Sequence, residues 1–221
     1  MLFLPELVRP GEQLVELWVG GTRCYRRGTT VPDAARRTDE PHPIVLGMVI
    51  FISSETMFFA GLFAAYYTLR TLSSPWPPSG VTFSSVEMSQ AVLATGVLVA
   101  SSLPAHLSML SLRRANFSAM RQWSLLTILM GVVFLGWKFH EWSAAAFSIS
   151  THAYGTIFFT LTGFHALHMV VGLVLLSAVV VRVSHGAYRG GDHAGPEAAV
   201  YYWHFVDAVW IGVFTTIYLV R

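Results

Sequence analysis

Five apolar runs dominate this chain, at residues 44–69, 88–112, 123–142, 154–183 and 198–220. Crossing roughly 30 Å of hydrocarbon as a helix takes about 20 residues, and each run meets that length. The runs are continuous rather than alternating, which argues against barrel strands. Backbone polar groups in lipid must be satisfied internally, so the expected fold is all-α: an integral membrane bundle of five transmembrane helices. Composition agrees, since 54% of residues are apolar and only 12% charged, too greasy for an ordinary soluble domain. The apolar patch at residues 2–4 is too short for a signal peptide, so the first long helix is expected to act as the insertion signal.

Arginine placement orients the bundle. Arg9, Arg23, Arg26, Arg27, Arg36 and Arg37 precede the first span, Arg113, Arg114 and Arg121 follow the second, and Arg182 and Arg189 follow the fourth. Against these, the other side has Arg70, Lys138 and Arg221. The positive-inside rule then makes the N-terminus cytoplasmic and the C-terminus outside, as an odd number of spans requires. The net charge of +2 is uninformative about partners, and no nucleic-acid surface is expected. Cys24 is the one cysteine, which excludes an internal disulfide or a cysteine-based metal site. On the reducing side it is expected to be a bystander.

Residues 1–43 are polar, with a weak amphipathic pattern across residues 14–18. They are expected to form a mostly extended cytoplasmic arm that lies on the membrane or packs on a partner, leaving residues 44–221 as the membrane domain. The stretch SSPWPPSG at residues 73–80 is expected to be an external loop in which Pro75, Pro77 and Pro78 forbid a helix. No internal repeat is visible.

Polar groups inside the spans are the candidates for function, because a charge at the bilayer centre costs about 2.5 to 3.5 kcal/mol on insertion scales. Glu55 is such a group, in FISSETMFFAGLFAAYY. Counting along antiparallel spans puts Glu55 of the first, and His165 and His168 of the fourth, near the midplane. The two histidines are spaced i, i+3 and share a face, beside Gly163 and Ala166, which would let another helix come close. Two states of Glu55 are open: it bonds to one of these histidines, or it is protonated and donates to a hydroxyl such as Ser54 or Thr162. Imidazoles also suit iron, copper and zinc. A bis-histidine site would need a partner at matching depth, and neither His106 nor His204 provides it.

In the last span, YYWHFVDAVW places His204 and Asp207 on one face. Asp207 lies about 15 Å into that helix and is expected to point inward, with His204 as its nearest partner. WKFHEW, residues 137–142, falls at the outer surface, where Glu141 reaches Lys138 at i−3 and interfacial snorkelling is expected. At the inner end of the fourth span, Arg182 and His185 sit where phospholipid phosphates lie, so they are candidate lipid ligands. The sequence has no phosphate-binding Gly-rich loop, no paired cysteines, no His-Glu-X-X-His and no nucleophile elbow. No catalytic residue is assigned to this chain.

The blocks GMVIFISSETMFFAGLFAAYY, WPPSGV, YGTIFFTLTGFHALHMVVG and YYWHFVDAVWIGVFTTIY, in this order and spacing, resemble subunit III of the haem–copper oxidases, the cytochrome c oxidase kind. The resemblance runs from about residue 41 to residue 221. It implies a multi-pass subunit of the bacterial inner membrane that has no redox centre and packs on catalytic subunit I, which holds haems and a copper. Subunit II, with its own copper, takes electrons from cytochrome c. Subunit III of this family binds phospholipid, borders a proposed oxygen route, and supports proton uptake and turnover durability. Glu55 falls on the family's buried Ser-Glu carboxylate, His165 and His168 on its Gly-Phe-His-X-X-His stretch, and His204 and Asp207 on its Trp-His-Phe-Val-Asp stretch. Arg182 falls where family members place a lipid-phosphate arginine.

The sequence also departs from the family pattern. The longest members have seven helices and hold lipid in a cleft between the first two and the other five, whereas five are expected here. LPAHLSML replaces the family's Trp-Ala-His-His run, so His106 inherits no role. Subunit III of a quinol oxidase and an accessory protein of nitric oxide reduction would carry nearly the same motifs. A small proton-coupled transporter would also bury Glu, His and Asp at midplane, but inverted repeats and broken helix pairs are missing from the sequence.

Overall fold

The computed structural model describes residues 13–19, 22–28, 42–78, 81, 84–188, 191 and 193–220, the first two stretches by their backbone alone. Arg9, Arg36, Arg37, Arg189, Arg221 and the end of the proline loop lie outside the described residues. The chain divides into two units, Met1–Pro41 and His42–Arg221.

The first unit contains an antiparallel hairpin of β1 (Gln13–Val19) and β2 (Thr22–Gly28), in register from Gln13 opposite Gly28 to Val19 opposite Thr22. Within the arm, the backbone of these two stretches is extended and pairs with itself. The strands are separated in sequence by Gly20 and Gly21, a pair that two-residue hairpin loops favour.

The second unit is made of α1 (Pro43–Leu72), α2 (Ser85–Arg113), α3 (Phe117–Ala144), α4 (Ala153–Ser184) and α5 (Ala194–Phe214), the last running into a π-helical turn, Thr215–Leu219. The helix starts follow from local chemistry. Pro43 opens α1, where its missing N–H costs nothing. Ser84 and Glu87 form a reciprocal capping box on α2. Asn116 and His152 accept from the backbone N–H of Ala119 and Gly155 at the starts of α3 and α4. Asn116 therefore begins α3 six residues before the expected position, and Arg121 lies within that helix rather than in a loop.

Among the described residues, four helices, α1 to α4, are long and apolar enough to cross a membrane. The expected fifth crossing, α5, is less apolar because it carries Glu197, His204, Asp207 and several Tyr and Trp residues. It is also the helix most enclosed by its neighbours, burying twelve of its 21 residues, Asp207, Trp203 and Trp210 among them.

Helices α2, α3, α4 and α5 pack in a closed ring, and α1 lies outside against α5 and α4. Two tryptophans of α5 key the ring together. A Cβ added to Gly131 of α3 would stand 2.5 Å from Trp203 Cη2, and one on Gly172 of α4 would stand 3.0 Å from Trp203 Cε3, so both helices clear room for one indole. That indole's N–H donates to Ser101 Oγ of α2 at 2.9 Å. Trp210 donates to Thr95 Oγ1 of α2 at 3.0 Å and packs on Phe134 of α3. In lipid there is no hydrophobic force between apolar helices, so close packing and interhelical hydrogen bonds such as these hold the ring. By contrast, α1 buries only Phe59 and Tyr66 of its 30 residues.

Candidate functional site

Among the described residues, the charged and titratable side chains that pair within the spans fall into three separate clusters. In the first, Glu55 of α1 meets His168 of α4, with Oε2 to Nε2 at 3.0 Å. The other ring nitrogen, Nδ1, lies 2.7 Å from the carbonyl oxygen of Phe164. A carbonyl only accepts, so Nδ1 carries a proton and the contact to Glu55 holds one proton between Oε2 and Nε2. Of the two states left open for Glu55, the bond to a histidine is the geometry found. Ser54 donates instead to Phe51 and Thr162 to Phe158. Rings of Phe58, Phe59 and Phe205 surround the imidazole at 5.0 to 6.4 Å, while Glu55 and His168 keep 22% and 12% of their side-chain surface exposed. The pair thus sits at the seam between α1 and α4 rather than in the core.

His165 does not join this pair. Positions i and i+3 differ by about 60° around a helix, and α4 has neighbours on both flanks. His168 therefore turns to α1, while His165 is fully buried between Phe134 of α3 and Trp210 of α5. Neither of its ring nitrogens has a hydrogen-bond partner. Gly163, expected to admit a neighbouring helix, has nothing within 4 Å of an added Cβ, whereas Ala166 is buried.

The second cluster lies between α2 and α5. Asp207 is 4% exposed, and its Oδ2 accepts the hydroxyl of Ser102. The same hydroxyl oxygen stands 3.2 Å from His204 Nδ1. His204 is therefore linked to Asp207 through Ser102. Asp207 Oδ1 has no protein partner. Towards the helix ends, Arg113 pairs with Glu197 at 3.6 Å, and Tyr201 donates to Glu197 at 2.8 Å.

The third cluster overturns the expectation of snorkelling. Lys138 is completely buried, and its Nζ donates to Glu141 Oε2 at 2.6 Å and to Tyr218 Oη at 3.1 Å. Tyr218 in turn donates to Glu141 Oε1. Rings of Trp137, Phe158, Trp210 and Tyr218 stand 5.0 to 5.7 Å from the ammonium. The stem points inward because α4 and the π turn after α5 supply a partner and an aromatic cage that water at the interface would otherwise replace.

Arg182 and His185 belong to none of these clusters. Both are exposed at the end of α4, where Arg182 stacks its guanidinium over Tyr188 at 5.4 Å and His185 forms the C-cap. Among the described residues, no three His, Cys, Asp or Glu side chains come together as a metal site.

A helical bundle in which four spans are apolar enough for a membrane, with a carboxylate–imidazole pair within them, defines a multi-pass membrane protein. The comparisons narrow this class. The family model for cytochrome c oxidase subunit III matches residues 37–220. The chain is 36% identical over 198 residues to a probable cytochrome c oxidase subunit 3 of Mycobacterium leprae, covering 88% of this chain and 96% of that one. It is 36% identical over 182 residues to cytochrome c oxidase subunit 3 of Thermostichus vulcanus, covering 82% and 89%. A Corynebacterium diphtheriae subunit 3 is 33% identical over 196 residues, covering 86% and 94%. The chain belongs to the cytochrome c oxidase subunit III family, whose named relatives are subunits of an oxidoreductase complex.

Proposed function

We propose that this chain is the subunit III of a proton-pumping terminal oxidase of the bacterial cell membrane that couples cytochrome c oxidation to reduction of O2 to water. The observation that carries this reading is the family match along residues 37–220. The chain packs on subunit I and lies in one complex with subunit II, and those partners hold the haems and copper. Its own part is to bind phospholipid near Arg182 and His185 and to support proton uptake, oxygen access and turnover durability. Helix α5 crosses the membrane as well, shielded by α1, α2 and α4 packed against it, so that the arm of residues 1–43 is cytoplasmic and the C-terminus is outside. In favour of this orientation is the arginine excess on one side.

The Glu55–His168 pair supports a role in proton handling or structural support. It lies within the spans, is surrounded by phenyl rings and is partly open at the α1–α4 seam. The exposed apolar length of α1 fits contact with lipid or a partner subunit.

The test is to purify the complex through a tag on this chain, record its visible spectrum, and measure oxygen consumption with reduced cytochrome c and then with a quinol. Haem absorbance with oxidation of cytochrome c is the expected result. Activity with quinol alone would move the chain to a quinol oxidase, and a colourless preparation without an oxidase partner would overturn the reading.

A further inference from the structure

Helices α2 and α5 face each other with matched polar stripes. On α2 these are Ser102, His106 and Arg113, and on α5 they are Asp207, His204 and Glu197. A groove of about 180 Å³ runs between them, lined among others by His106, Leu110, Arg113, Glu197, Tyr201 and His204. The Arg113–Glu197 ion pair is part of its lining, with the two side chains 59% and 25% exposed. A water needs on the order of 10 to 15 Å³ of such space and two to four polar partners, so this groove has room and partners for several. Asp207 lies about 15 Å along α5 from Glu197.

With Asp207 ionised, proton counting sets the hydrogen-bond directions at the deep end. Ser102 has one hydroxyl proton, which goes to Asp207 Oδ2. Its contact with His204 Nδ1 must therefore be donated by the ring. A neutral imidazole with its proton on Nδ1 keeps a lone pair on Nε2, and His204 lines the groove. A chain of hydrogen bonds thus runs from His204, which lines the groove, through Ser102 to a buried carboxylate that still has an unpartnered oxygen.

We propose that this groove is a proton inlet and that Asp207 is a proton-exchanging store fed through His204 and Ser102. A proton from water binds His204 Nε2, the Nδ1 proton passes to Ser102 Oγ, and the Ser102 proton passes to Asp207 Oδ2. The net change is one hydronium and one carboxylate becoming water and one carboxylic acid, after which the ring tautomer and hydroxyl reset. The proposal deepens the proton-supporting role above and rests on it only for the side of the membrane that feeds the groove. The inlet is separate from the Glu55–His168 pair, which lies at the α1–α4 seam.

Infrared difference spectroscopy on the purified complex, transferred from H2O to D2O, tests it. Asp207→Asn should remove one protonated-carboxyl band. Exchange of that band should slow on the order of tenfold, the scale of one lost hydrogen-bonded step, in Ser102→Ala and in Leu110→Trp, which obstructs the groove without touching the relay. Ser102→Thr, which keeps the hydroxyl, should restore the wild-type rate. A band that exchanges at the wild-type rate in both variants, or the loss of no band in Asp207→Asn, would overturn the proposal. Oxidase turnover measured on the same preparations keeps the two readings apart: normal turnover with unaltered exchange removes the inlet and leaves the subunit assignment, whereas slowed exchange in a preparation lacking haem does the reverse.

Discussion

Removing the charge of Glu141 should destabilise this subunit more than removing the lysine it pairs with. Lys138 has no exposed surface, and its ammonium has two oxygen partners, Glu141 at 2.6 Å and Tyr218 at 3.1 Å. Breaking a buried pair from one side typically costs about 3 to 5 kcal/mol, mostly because the remaining charge is left uncompensated. Glu141→Gln preserves size and one acceptor, and the aromatic rings around Lys138 stay in place, so the low end, about 3 kcal/mol, applies. Lys138→Met strands the other charge, but Glu141 keeps 15% of its side-chain surface exposed and retains the Tyr218 hydroxyl. Losing one charged hydrogen bond at such a site costs about 1.5 to 3 kcal/mol, and partial hydration puts it near the lower figure. The double variant leaves neither charge and should melt close to Lys138→Met, well above Glu141→Gln.

Thermal unfolding of the detergent-purified complex, followed by release of this subunit on size exclusion, gives that order directly. An exposed snorkelling pair, worth about 0 to 1 kcal/mol, would make all three variants nearly equal to wild type. Glu141→Gln melting at or above Lys138→Met would refute the cage and the reasoning built on it.

The other expectations concern single sites. Gly131→Ala puts a methyl 2.5 Å from Trp203 and should cost about 1 to 3 kcal/mol in the same melting assay, whereas Gly163→Ala, with nothing within 4 Å, should leave the midpoint unchanged. Glu55→Gln keeps a hydrogen-bonding partner for His168 and should leave assembly and haem content intact while altering turnover lifetime or oxygen access; loss of the whole complex would count against it. Arg182→Ala should lower the phosphorus content of the purified complex with its haem content unchanged, and an unchanged phospholipid count would remove this arginine as a lipid ligand.

Which parts of this were legible in the sequence depends on how local their causes are. Helix lengths follow from apolar runs and from caps such as Pro43 and the Ser84–Glu87 box, all written within a few residues. The hairpin at Gln13–Val19 and Thr22–Gly28 was harder, because an alternating pattern broken by arginines gives no clear period, and Gly20-Gly21 was its one distinct sign. Pairing across helices is not local at all. Depth counting brought Glu55 level with both histidines, but the choice of His168 over His165 depends on which flank of α4 faces α1, and that is set by packing against Trp210 and Phe134 on the other side.

Lys138 shows the same limit more sharply. Its position near a helix end is the one at which a lysine in isolation would reach for water. What reverses this is Tyr218, 80 residues further on, placed against α3 by the π turn that follows α5. Serines and threonines are the least legible of all: Ser101, Ser102 and Thr95 look like ordinary small residues of an apolar span, yet each binds a side chain of α5 more than 100 residues away. In a span that buries an indole N–H or a carboxylate, some hydroxyl on a neighbouring helix has to answer it, because lipid offers no substitute. Reading such a sequence therefore means starting from the polar groups of the most polar helix, here α5, and asking which hydroxyl on each antiparallel neighbour lies at the same depth. Applied to Asp207 and Trp203, that question leads to the middle of α2, to the adjacent pair Ser101 and Ser102.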